Sequence, residues 1–222
     1  MNSSDNAALQ DNTSHDHAAA HRLDILNTAI EIFGRLGFSS ASTNEIVKHA
    51  KVSKGLLFHH FKDKKSLYMA CQLHVMEQYG EFMKDRVNTD SCDFFERILD
   101  NLHVKLEFGR KYPEYLTLIN RAWYMDHEES ILNRKAAEEY ALKSAAAGQI
   151  YLNFYKGIDT SKFREKTDVQ MLLNYVRLTM EAAWRRYSAE RNNNPILLYN
   201  DIDIYINEAK EILDLFKNGA YI

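Results

Sequence analysis

The chain has 222 residues, a formal net charge of −3, 45% hydrophobic residues, two prolines, eight glycines and two cysteines. That length suits one large or two small domains, and so few Pro and Gly residues argue against a β-rich fold, which needs more turn punctuation. No apolar run approaches the roughly 20 residues of a membrane span, the polar N-terminus lacks the apolar stretch of a signal peptide, and Cys71 and Cys92 form no CxxC pair, so the expectation is a cytoplasmic protein with reduced thiols.

Residues 1–20 are rich in Asn, Asp, Ser, His and Ala without periodicity and read as a disordered tail. His15, His17 and His21 read as solvated rather than as metal ligands. A first helix is predicted from about Arg22 to Leu36, with Leu26, Ala29, Ile30 and Phe33 at helical spacing, Gly37 as its stop and Phe38 packing back on the core. Residues 42–67 then encode two short helices joined by a tight turn. Ser42 and Glu45 have the spacing of a capping box, in which the hydroxyl accepts from the Glu45 N–H and the carboxylate reaches back. Ile46, Val47 and Ala50 form one apolar stripe, and Val52 plugs the turn. Ser53 can cap the second helix, and Leu57 and Phe61, four apart, point it inward, leaving Lys54, Gly55, His59 and His60 facing out. Asp63 can cap a further helix from Lys64 to about Val87, with Leu67, Cys71, Val75 and Phe82 among its inward positions.

Charge is asymmetric along the chain. Between Arg22 and Leu67, eight Lys and Arg stand against four Asp and Glu, so this head carries +4 and the remainder −7. A basic head on an acidic body fits a module that meets a polyanion joined to one that does not. The body reads as helices over about Cys92–Arg110, stopped by Pro113, then Glu114–Met125, Glu128–Tyr155, Asp168–Arg191 and Asp201–Lys217. Gly157–Lys166 reads as a connector and Asn192–Pro195 as a break.

The spacing within residues 42–67 resembles the DNA-binding segment of the tetracycline-repressor (TetR) family. The family pattern there is Thr-Thr, two variable residues, Ile-Ala, then Ala-Gly-Val-Ser-x-Gly-x-Leu-Tyr-x-His-Phe-x-x-Lys-x-x-Leu. This chain offers Ser42-Thr43, Ile46-Val47, Ala50-Lys51-Val52-Ser53, Gly55, Leu57-Phe58, His60-Phe61, Lys64 and Leu67. It departs at Lys51, where the turn usually has Gly and a positive φ strains any other residue, and at Phe58, where Tyr is usual. The resemblance runs from Leu26 to Leu67, about a fifth of the chain.

The resemblance implies an all-α protein of about nine helices. Residues 21–66 would be a helix-turn-helix DNA-binding domain and residues 67–222 a helical ligand-binding and dimerisation domain, after the tail of 1–20. The implied partners are a pseudo-palindromic double-stranded DNA operator, a small hydrophobic or aromatic effector that releases it, and a second copy of the chain joined through the last two long helices. No cofactor, metal or membrane is implied. The second helix of such a motif lies in the major groove with its N-terminal residues at base edges. Lys54 can donate to guanine O6 or N7, Gly55 lets the backbone approach, Leu56 can meet a thymine methyl, and His59 can donate to a base or phosphate. The free N–H groups and hydroxyls of Ser42 and Thr43 suit a phosphate. Lys64 resembles the family's phosphate-clamping lysine, and His60 and Phe58 are carried over from their place in the pattern.

The body is rich in aromatic residues, and small-molecule sites are lined by aromatic and apolar groups with a few polar handles. Phe108, Tyr112, Trp123, Tyr151 and Trp184 are candidates for such a lining. Glu107 and Glu181, near them in sequence, would suit a cationic ligand, and a neutral one is equally allowed. Catalysis is not expected. His127-Glu128-Glu129-Ser130 begins like a zincin motif, but Ile131 stands where the second His is required, and no P-loop, dinucleotide Gly pattern or nucleophile elbow occurs. The competing reading is a helical protein-interaction module or co-activator with a repurposed helix-turn-helix.

Overall fold

The computed structural model describes residues 3–88, 90–124, 127–143, 156–192 and 194–221. It is all-α, with ten helices among the described residues: α1 (Ser3–Ser40), α2 (Thr43–His49), α3 (Lys54–Phe61), α4 (Lys64–Lys84), α5 (Phe94–Lys111), α6 (Pro113–Tyr124), α7 (His127–Lys143), α8 (Val169–Glu190), α9 (Pro195–Asn200) and α10 (Ile202–Ala220). No helix among the described residues is long and apolar enough to cross a membrane.

Helix α1 starts at Ser3, ahead of the Arg22 expected from its apolar stripe. Residues 3–20 lack that stripe, but Ala7, Ala8, Ala18, Ala19 and Ala20 favour helix by propensity alone. The helical path breaks at Gly37, whose φ of 77° and ψ of 174° lie outside the helical region. That break turns Phe38 back under Tyr68, ring centroids 5.2 Å apart. Pro113 and Pro195 do more than stop their predecessors. Each opens the next helix from its first turn, where a missing N–H costs nothing. The six-residue α9 was not expected, and Asn194 caps it by accepting from the N–H groups of Ile196 and Leu197.

Helices α2 and α3 pack with α1 and the first turn of α4 around Ile25, Leu26, Ile30, Phe33, Ile46, Leu57, Phe61 and Leu67. The same core continues into the body, because α1 packs along α6 and α4 packs along α7. Two hydrogen bonds hold the junction: the Tyr115 hydroxyl donates to Asn27 Oδ1 at 3.1 Å, and Gln72 Nε2 donates to the Leu118 carbonyl at 3.4 Å. A second apolar cluster of Phe94, Phe95, Phe163, Val176, Leu213 and Ala220 closes the far end. There the fully buried Arg97 donates to the carbonyls of Ser91 and Lys156, and Asp93 pairs with Lys162 and Lys217.

Gly34 marks the tightest point between head and body. A Cβ at that position would lie 2.8 Å from the Glu114 carbonyl oxygen and 3.2 Å from its Cβ, at the start of α6. We predict that Gly34→Ala forces α1 and α6 apart and lowers the unfolding free energy by about 1–3 kcal/mol, the usual cost of overpacking. Urea titration checks this; an unchanged midpoint would show that the two helices are not held so closely.

Candidate DNA-binding face and ligand cavity

The inward edge of α3 fixes its outward face. Leu57 is fully buried and Phe61 is 4% exposed, while Lys54, Gly55 and His59 are exposed and Leu56 is half-buried. Ser53 caps the helix, its Oγ accepting from the Leu56 N–H at 3.1 Å. Asp63 caps α4 by accepting from the Ser66 N–H at 2.7 Å. That bond above all holds its carboxyl below the ordinary value.

The capping box at α2 does not form. Ser42 Oγ accepts from the Asn44 N–H at 3.2 Å instead of from Glu45, and the Glu45 carboxylate turns away to Arg35 on α1 at 3.1 Å. The competing partner comes from another helix, since α1 brings the Arg35 guanidinium within reach of the carboxylate. The turn between α2 and α3 depends on Lys51, which adopts a φ of 55° where the family pattern has Gly. Above the turn, Lys54 Nζ donates to Asn44 Oδ1 at 3.1 Å. This contact ties the first turns of α2 and α3 into one outward surface carrying Ser42, Thr43, Asn44, Lys54 and Gly55. Asn44 was not singled out from the sequence, since its place opposite Lys54 depends on how the turn folds.

The remaining expected contacts stand differently. His60 does not face fully out: it is half-buried, and its Nε2 is buried without a hydrogen-bond partner among the described residues. Burial of the ring, then the nearby His59 and Arg22, hold its pKa below the ordinary value, so the imidazole is neutral near pH 7 and lacks the second N–H of the cation. Phe58 is half-buried beneath Lys54, whose Nζ lies 5.9 Å from the ring centroid. Lys64, at the start of α4, donates to the Ser39 carbonyl at 3.3 Å and lies 4.7 Å over the Phe38 ring. Lys48, Lys51, Lys62 and Lys65 are exposed on the head, so the basic excess read from the sequence lies at its surface.

In the body, a cavity of about 310 Å³ opens between α4, α5, α6, α8 and α10. Of the sequence candidates, Trp184 and Glu181 line it. Phe108 and Tyr112 are not among its described lining residues. Phe108 is fully buried against Tyr79, Phe82 and Tyr112, with centroids 5.1–5.3 Å away, and Tyr112 reaches the surface. Tyr151 and the side chain of Trp123 lie outside the described residues. Glu107 is exposed and does not line the cavity. The sequence reading missed the polar set of the wall, Asn101, Lys105, Asn120 and Arg177. Burial pushes the Lys105 ammonium below its ordinary pKa, against the opposing pull of Glu181. Asn120 is 4% exposed, and neither its Oδ1 nor its Nδ2 has a hydrogen-bond partner among the described residues. A buried polar group left in that state typically costs about 1–3 kcal/mol.

Gly55 separates a folding role from a binding one. A Cβ there would meet nothing nearer than Ser53 Oγ at 3.8 Å, so the fold itself has room for a side chain. Gly55→Ala is therefore predicted to leave stability unchanged or to raise it by up to about 1 kcal/mol through helix propensity. It is also predicted to weaken DNA binding by about tenfold or more, roughly 1.4 kcal/mol. Unfolding curves and gel-shift titrations on the same variant check this, and unaltered DNA binding would contradict close backbone approach at α3.

Comparison with known proteins agrees with this geometry. Residues 25–71 match the tetR family of bacterial regulatory proteins. Over 57 residues the chain is 46% identical to the HTH-type transcriptional regulator UidR of Escherichia coli K12 and 39% identical to an HTH-type transcriptional repressor of Mycobacterium tuberculosis. Each match takes in 26% of this chain, and the chain covers only 29% and 30% of those relatives' own lengths. A solved TetR-family transcriptional regulator from Chloroflexus aurantiacus superposes with a TM-score of 0.61 at 17% identity, covering 92% of this chain and 94% of that one. The N-terminal head thus belongs to the tetR family of bacterial regulatory proteins, and the whole chain has the fold of solved TetR-family regulators.

Proposed function

We propose that this protein is a DNA-binding transcriptional regulator, acting as a homodimer on a pseudo-palindromic operator and controlled by a small molecule bound in the body. The observation that carries the reading is the outward surface at the starts of α2 and α3, with Lys54 already oriented by Asn44 and Gly55 free of any fold constraint. In this reading Lys54, Gly55, Leu56 and His59 meet base edges and flanking phosphates. Ser42, Thr43 and Lys64 meet phosphates, and Phe58 and His60 support the face from beneath. The head occupies residues 21–66 and the body 67–222, with 1–20 outside both, and the protein works in the cytoplasm where the DNA is. Repression is the favoured outcome, since one relative of the head is described as a repressor.

A single head makes few contacts, and a dimer meets this by presenting two to successive half-sites. The last two long helices supply a surface for pairing. On α8, Met171, Tyr175 and Leu178 follow one another at four and three residues and are 51%, 51% and 46% exposed. On α10, Ile204 and Leu215 are 57% and 74% exposed. An exposed apolar stripe of this kind marks an interaction surface. Leu178→Glu is predicted to convert the dimer to a monomer in analytical ultracentrifugation and to abolish operator binding. A variant that stays dimeric would place the interface elsewhere.

The control mechanism is linkage. A ligand changes DNA affinity only through its differential affinity for two arrangements of the heads. Helix α6 supports such a link, since it bears Asn120 at the cavity wall, Tyr115 bonded to α1 and Leu118 bonded to α4.

Gel-shift titration with the double-stranded DNA upstream of the protein's own gene tests the reading. We expect sequence-specific retardation. Lys64→Ala should weaken binding to all sequences alike and lower the salt slope by about 1, whereas Lys54→Ala should cost about 1–3 kcal/mol on the operator and relax base preference. Equal losses on operator and random DNA for both variants would contradict the assignment. No retardation at all would favour a helical interaction module.

A further inference from the structure

The wall of the body cavity specifies a class of ligand. Its apolar part comes from Leu102, Val176 and Met180 with the rings of Tyr79, Trp184 and Tyr205. Its charged part comes from three side chains on two helices, Lys105 on α5 and Arg177 with Glu181 on α8. Glu181 is already engaged, because Arg177 Nη1 donates to its Oε1 at 2.5 Å while Nη2 donates to Asn174 Oδ1 at 2.9 Å. Lys105 also feels Glu181, so two cations share one carboxylate, and one positive charge is in surplus among the described residues of a largely apolar wall. Asn120 adds an amide, 4% exposed, whose donor and acceptor have no partner among the described residues.

We infer that the cavity takes a small amphipathic monocarboxylate, its carboxylate on the Lys105 ammonium and its aliphatic or aryl part against Tyr79, Trp184 and Tyr205. A carboxylate cancels the surplus charge. A cationic ligand meets Lys105 as a like charge and finds Glu181 already paired, which reverses the preference drawn from Glu181 in the sequence. A dianion such as a phosphate monoester leaves one charge uncompensated in apolar surroundings. Size favours a small ligand, since a cavity of about 310 Å³ lies at the lower end of the roughly 300–1,000 Å³ range of ligand sites.

This inference deepens the effector reading above and rests on it, and the two can fail separately. Calorimetric titration of the full-length protein with octanoate, octan-1-ol and octylamine compares one chain length in anionic, neutral and cationic form. Octanoate is expected to bind at least tenfold tighter than either of the others. Lys105→Met should abolish that preference while leaving the affinity for octan-1-ol within about twofold of the original, which shows the cavity intact. Failure of octanoate to bind, binding of the amine or alcohol as tightly as the acid, or an undiminished preference in Lys105→Met would overturn the inference. The gel shift is read in parallel: octanoate that binds without altering DNA affinity supports the site and contradicts the effector role. DNA binding with no response of the cavity to any carboxylate overturns the ligand class and leaves the regulator intact.

Discussion

The head rests on the burial of one helix edge. Leu57 and Phe61 pack into the core beneath α1, and their spacing turns every other side of α3 toward solvent or the neighbouring helices. Fully burying such side chains is worth about 1.5–3 kcal/mol each, far more than the exposed ion pair between Arg35 and Glu45, for which about 0–1 kcal/mol is typical. The apolar edge therefore sets the pose of α3, and the polar contacts adjust what is presented on it. At the connection, Lys51 accepts a φ of 55° without being glycine, in a turn after which Leu57 and Val52 reach the core and Lys54 meets Asn44.

The same economy operates at the junction of head and body. Helix α6 is twelve residues long, yet it touches three functional parts. Its first turn lies against Gly34, Tyr115 bonds to α1, Leu118 receives the amide of Gln72 from α4, and Asn120 forms part of the cavity wall. A close-packed interior transmits strain, and α1 and α4 are among the helices packed on α6. Both helices carry the head, so the packing that stabilises the junction is also what a ligand would act through.

Much of the head was legible in the sequence because its determinants are local. The inward pair Leu57 and Phe61, the caps at Ser53 and Asp63, and the stop at Gly37 follow from spacing and residue type within one turn. The Ser42–Glu45 box failed because its competitor, Arg35, arrives from another helix. His60 was misjudged for a similar reason: helical phase alone left it outward, whereas burial of Nε2 depends on what packs above it. In the body, aromatic content drew attention to Phe108, which is an interior ring among other rings. The polar groups of the cavity wall, Lys105, Asn120 and Arg177, come from three different helices. Neither their convergence nor the pairing of Glu181 with Arg177 can be read before the helices are packed. The short α9 escaped notice because Pro195 was read as a terminator, although proline at a first helical position starts a helix as readily as it ends one.

Amide hydrogen–deuterium exchange, measured with and without the double-stranded DNA upstream of the protein's own gene, tests most directly whether this surface is the reading head. The first turns of α2 and α3 carry backbone N–H groups without intrahelical acceptors, so they exchange quickly in the free protein. The account predicts that DNA slows exchange at residues 42–45 and 53–59 and leaves α5 and α8 unaffected by direct contact. Unchanged exchange at those two turns, or protection confined to the body, would contradict it.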